Sequence, residues 1–156
     1  MLTTMFLFLY ILIICTFAKH VPLSIDDIPN PMISPELCGR SGISKSVICD
    51  IHELLSVDDK NVLEGVMNEI KDIEIAVAII SETNTNLFES NESVAHKYAT
   101  ALHNAWGVGD KDLNNGVLIF VAIDDRTMFI SVGDGIQKQF TDWKIWESNR
   151  VWYCRN

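Results

Sequence analysis

The side chains best suited to chemistry in this chain are carboxylates, and they fall in two short groups. Asp110-Lys111-Asp112-Leu113-Asn114-Asn115-Gly116 sets oxygen ligands at alternate positions of an extended turn, the way a hard cation such as calcium is gathered. An EF-hand loop needs Gly at its sixth position and a bidentate Glu at its twelfth. Here Gly116 comes seventh and Val121 twelfth, so that loop is excluded. A looser divalent-cation site from Asp110, Asp112 and Asn114 stays open beside a plainer reading, a solvated turn that feeds a strand. The second group is Asp124-Asp125-Arg126. Adjacent carboxylates can hold a cation, or do acid–base work if one pKa is raised, but Asp-rich sequence also simply favours a hairpin turn. No residue is assigned a catalytic role.

Other candidates fall away on spacing. His96 and His103 are seven apart on a predicted helix, about 10.5 Å along its axis, too far for one metal. Gly107-Val108-Gly109 follows a helix and lacks the third glycine of a dinucleotide fingerprint. Cys38 and Cys49 bracket a short polar loop, and in an oxidising compartment a bridge between them would stabilise by about 3 kcal/mol. The alternative, a zinc site of Cys38, Cys49 and His52, has neither a C-x2-C knuckle nor a fourth ligand. Cys15 lies in the leader and Cys154 is left over. Asn91-Glu92-Ser93 is a glycosylation sequon, placed by the polar stretch around it in an exposed loop.

These groups need elements to position them. Ser56 is a predicted N-cap for a helix from Val57 to about Lys71, with Val62, Leu63, Val66, Met67 and Ile70 as its apolar face. Ile73–Ile80 reads as a buried strand. A second helix runs from about Glu92 to Trp106 with Gly107 as its C-cap. Gly116–Ile123 and Thr127–Val132 read as strands of a hairpin turning at Asp124-Asp125-Arg126. The order α-β-α-β-β predicts a layered α/β domain.

Upstream, residues 19–37 hold all four prolines and no periodicity, which predicts a linker. Met1–Ala18 has no charged side chain, a long apolar run, and Thr16 and Ala18 at the −3 and −1 positions of a cleavage site. It reads as a secretory signal; an uncleaved anchor of about 27 Å is the alternative. Three of the four tryptophans fall in residues 143–156, which lack a clean period and look foreign to the domain. The chain carries 12 Lys and Arg against 21 Asp and Glu, net −9, with no basic cluster, so a nucleic-acid surface is excluded.

Together, Ala105-Trp106-Gly107-Val108-Gly109-Asp110-Lys111, Asn114-Asn115-Gly116-Val117-Leu118, Asp124-Asp125-Arg126 and Gly133-Asp134-Gly135 resemble the TPM domain over roughly Cys49–Asp142. The lead-in Cys38-Gly39-Arg40 to Val47-Ile48-Cys49-Asp50 is similar to a nematode branch, the modulators of levamisole receptors. The resemblance implies a three-layer α/β/α sandwich, here residues 38–142, lying on the extracellular side in the secretory pathway. In that branch a C-terminal helix anchors the domain in the membrane, and its partners are levamisole-sensitive nicotinic acetylcholine receptor subunits, whose gating it enhances without catalysis.

Plant relatives look like acid phosphatases, and some members bind divalent cations, so a metal-dependent phosphatase is the alternative. Carried over by motif, Asp110, Asn115, Asp124 and Asp125 are the polar family positions, framed by Trp106, Gly107, Gly109, Gly116, Arg126, Gly133 and Gly135. Two departures stand out: Asp134 replaces an aromatic residue between the glycines, and Gln137 stands where an acid is common. The resemblance stops near Phe140–Asp142, so the last helices of the sandwich are expected to be missing and residues 143–156 to be an atypical, truncated or mis-spliced tail.

Overall fold

A computed structural model describes residues 21–84 and 90–140. The expected leader 1–18 with Cys15, and the tail 143–156 with Cys154, lie outside the described residues. Among these no helix is long and apolar enough to cross a membrane.

Four strands form one sheet in the order β1 (Ile48–Asp50), β2 (Glu74–Ile80), β3 (Gly116–Ala122) and β4 (Thr127–Val132). The first three are parallel, and β4 returns antiparallel to β3 with Val117 opposite Val132 and Ala122 opposite Thr127. Helix α1 (Val57–Glu69) joins β1 to β2, and α2 (Asn91–Trp106) joins β2 to β3. A short helix, α3 (Gln137–Phe140), follows β4.

Local chemistry sets the helix ends. Ser56 Oγ accepts from Asp59 N at 3.1 Å, and Asp58 and Asp59 place negative charge at the first turn of α1. Ser90 caps α2 through Ser93 N, and Gly107 closes it at φ 65°, a left-handed conformation that costs glycine little. Asn91 is therefore the first residue of a helix, not a loop residue, and its amide donates to Asp125 O at 3.4 Å.

Strand alternation divides the core. On one face Ala76, Ala78, Ile80, Leu118 and Phe120 meet Val94, Tyr98 and Leu102 of α2, all buried. On the other, Ile48, Val77 and Ile79 form a smaller cluster with Leu55, Met67 and Ile119 packed against it. Both crossovers step the same way across the sheet while their helices occupy opposite faces. They therefore have opposite hands, and one departs from the usual right-handed rule.

Two expectations are corrected here. The proline-rich stretch is packed where it is described: Ile28, Pro31 and Pro35 are buried, two 3-10 turns run Ile25–Asp27 and Pro35–Cys38, and Leu23 pairs with Thr83. Its residues are held by proline-compatible turns and long-range contacts that leave no periodic trace. The apolar face expected for α1 mostly points outward: Val62 is 67% and Val66 56% exposed, and only Met67 is half-buried.

The helix is anchored by its polar residues instead. Lys60, 1% exposed, reaches Asp50 Oδ2 at 3.2 Å and Gly39 O at 3.2 Å. Glu64 takes Arg40, Ser46 Oγ and Val47 N, and Asn61 accepts from Arg40 Nη1 at 2.9 Å. A buried lysine left unpaired would cost several kcal/mol, so pairing it with Asp50 fixes the helix's rotation more strongly than its apolar pattern does. The segment Gly39–Val47 that supplies these partners is itself closed by the Cys38–Cys49 disulfide, whose two ends are buried.

Candidate functional site

The sheet places the two acidic groups at opposite ends. Asp110–Asn115 precede β3 and Asp124-Asp125 follow it, so the seven-residue strand separates them by about 20 Å. They are two places, not one.

The end that carries Asp124 and Asp125 is where β1, β2 and β3 all deliver their carboxyl ends, the side on which parallel α/β sheets commonly bind ligands. Each carboxylate is tied to the segment after β2. Ser81 Oγ donates to Asp124 Oδ2 at 2.6 Å, and Asp124 N donates to Ser81 O at 2.8 Å. Thr83 gives both its N–H (2.8 Å) and its hydroxyl (2.6 Å) to Asp125 Oδ2. Ser81 N in turn donates to His52 Nδ1 at 3.0 Å, which draws in the end of β1.

Ser81 and Thr83 are buried, so their hydroxyls act as braces and are not presented as nucleophiles. Below them Tyr98 OH donates to Leu23 O at 2.6 Å and accepts from Asn84 N, and burial raises its pKa. Ser81 and Thr83 as partners of the aspartates, and His52 behind Ser81, were not legible in the sequence. A hydroxyl after a strand is too common to signal a pairing across 42 or 43 positions.

The opposite end is built from glycines. A Cβ on Gly116 would stand 2.1 Å from Val108 O, one on Gly133 2.3 Å from Asn114 O, and one on Gly135 1.7 Å from Leu113 O. Gly109 has φ 97°, and a Cβ there would stand 2.4 Å from Gly116 N. The turns at 107–110, 113–116 and 133–135 thus interlock backbone on backbone, which no larger residue permits. Trp106 is buried in the main core, and Arg126 adopts φ 54° in the β3–β4 turn.

Asp110 Oδ1 accepts from Asp112 N (2.9 Å) and Leu113 N (3.0 Å), and these bonds hold its carboxyl below the ordinary carboxylate range. Asn115 accepts from Asp110 N at 2.8 Å and donates to Asp72 O at 2.8 Å. A cleft of about 300 Å³ opens beside them, lined by Met67, Ile70, Asp72, Glu74, Asp110 and Asn115.

These donors do not fit a resident cation. Calcium asks for six to eight oxygens, yet Asp110 uses one oxygen on its own turn, Asp124 and Asp125 each use one on a hydroxyl, and the two groups lie at opposite ends of β3. Among the described residues no group of three His, Cys, Asp or Glu side chains could hold a metal ion.

A family model described as the TPM domain matches residues 48–148. A solution NMR structure of the N-terminal domain of a protein from P. gingivalis is similar in fold, with a TM-score of 0.57 at 20% sequence identity, over 84% of this chain and 78% of that one. No curated protein matches the chain.

Proposed function

The chain belongs to the TPM domain family, and from that premise we propose that it is a non-enzymatic binding module on the extracellular side of the secretory pathway, an auxiliary modulator of a levamisole-sensitive nicotinic acetylcholine receptor. The observation that carries the non-enzymatic part is the use made of the family carboxylates. Asp124 and Asp125 bind hydroxyls of Ser81 and Thr83, and Asp110 binds its own turn, so the motif stiffens both ends of the sheet. The buried Cys38–Cys49 bridge supports an oxidising compartment. The receptor itself comes from the resemblance of the lead-in to the nematode branch.

A rigid module of this kind would change gating by binding the open receptor more tightly than the closed one, since only differential affinity shifts such an equilibrium. Co-expression with levamisole-sensitive receptor subunits tests it. Larger agonist-evoked currents that persist in Asp124→Asn and Asp125→Asn support the proposal, and unchanged currents oppose it. Phosphomonoester hydrolysis that depends on an added divalent cation and disappears in both variants would establish the phosphatase alternative instead.

A further inference from the structure

The two edges of the sheet differ. At one edge β1 is only three residues long, and so short a strand offers little to pair with. At the other, β4 runs six residues, Thr127–Val132, with no charge, proline or glycine among them. Its register against β3 is unbroken from Thr127 opposite Ala122 to Val132 opposite Val117, so no bulge turns it away. Natural sheets commonly blunt an edge of this kind, yet among the described residues no further strand pairs with it.

Which backbone groups stay open follows from the ladder. Gly133 N donates to Gly116 O at 2.8 Å, so these two residues form a hydrogen-bonded pair. Antiparallel pairs alternate along the ladder. Thr127, Phe129 and Ser131 therefore bond inward to β3, and Met128, Ile130 and Val132 turn their N–H and C=O groups outward. The side chains of these three residues are apolar and half-buried, on the sheet face of Ile119.

We propose that this edge pairs with a second copy of the chain, β4 against β4, antiparallel about a two-fold axis at Ile130. The strand selects this occupant because it complements itself, as a two-fold interface requires. Centred on Ile130, the pairing sets Ile130 against Ile130 and Met128 against Val132 twice. All three outward residues of each copy then bond, giving about six interchain backbone hydrogen bonds. An axis at Phe129 or Ser131 leaves Val132 or Met128 without a strand partner. Charge selects the same register. Arg126 of one copy falls opposite Asp134 of the other at both ends of the pairing. Both residues are exposed, and neither makes an ion pair among the described residues. An axis at Phe129 would set Asp124 against Asp134 instead. For a chain of net charge −9, the two opposite-charge contacts offset the repulsion between copies where they meet.

The test uses the full chain carrying Cys154→Ser, so that no disulfide through that thiol can join two copies. Sedimentation over a concentration series should show reversible dimerisation. Residue-resolved hydrogen exchange should find the amides of Met128, Ile130 and Val132 slow in the dimer and fast after dilution. Those of Phe129 and Ser131, bonded to β3, should be slow in both. Asp134→Arg or Arg126→Asp alone brings like charges together at both ends and should weaken dimerisation about tenfold. The exchanged pair, Arg126→Asp/Asp134→Arg, should restore it.

A chain that stays monomeric at its highest soluble concentration overturns the proposal. So does a dimer in which the three outward amides exchange as fast as in the monomer, since another face then joins the copies. Slow outward amides without dimerisation would assign the edge to a different extended segment and overturn it too. A double variant no tighter than the single ones refutes the register centred on Ile130.

Discussion

Replacing Asp125 separates a brace from a ligand. Its Oδ2 accepts two bonds from Thr83, at 2.8 Å from the N–H and 2.6 Å from the hydroxyl, and Thr83 is 5% exposed while the carboxylate covers it. Bonds to a charged acceptor contribute roughly 1.5–3 kcal/mol each, and an unsatisfied buried N–H costs about 1–3 kcal/mol. Because Asp125 is itself half-exposed, the low end applies, and Asp125→Ala should destabilise by about 3 kcal/mol. For a domain of this size that is a fall in Tm of roughly 12 °C or more.

Asp125→Asn keeps a carbonyl oxygen in the same place, so both donors retain a partner, and it should cost under about 1 kcal/mol. Urea unfolding of the disulfide-intact protein reads both numbers. A ligand or catalytic role inverts the pattern, since Asn would then abolish activity at little cost in stability. If Ala lowers stability by less than about 0.5 kcal/mol, or Asn costs as much as Ala, the bracing argument is wrong.

Three further outcomes are expected. Gly116→Ala must displace Val108 backbone, 2.1 Å from the new Cβ, and should cost about 3 kcal/mol or prevent folding, whereas Gly107→Ala, with open space around it, should lose only about 1–2 kcal/mol to its left-handed backbone; equal thermal shifts would contradict this. His103 is buried against Ser131 Oγ at 2.8 Å, and burial lowers its pKa. The unfolded chain then binds the proton more readily, so stability is full above an unfolded pKa of about 6.5 and declines as pH falls below it. A melting series in which His103→Gln keeps the same acid slope would remove His103 as the cause. Cys38→Ser/Cys49→Ser should lose about 3 kcal/mol in urea and loosen α1, seen as faster hydrogen exchange at Asn61–Met67; unchanged exchange would show that the Lys60–Asp50 pair holds the helix alone.

The elements themselves were legible in the sequence because each rests on local rules. Ser56 and Gly107 cap their helices as expected, Thr127–Val132 is a strand to the residue, and the predicted Ile73–Ile80 and Gly116–Ile123 strands are each one residue shorter. The Cys38–Cys49 bridge and the hairpin at Asp124-Asp125-Arg126 follow from residue types and short separations. What the sequence could not fix was anything decided by distant partners. β1 is three residues long, too short to announce itself, and exists because β2 pairs with it. The buried face of α1 departs from its apolar period because that period is a local signal, while the Lys60–Asp50 pair and the Glu64 contacts join the helix to residues 10 to 24 positions earlier. The aspartates at 110 and 124–125 are held apart by the extended strand between them, and each is claimed by a different end of the sheet.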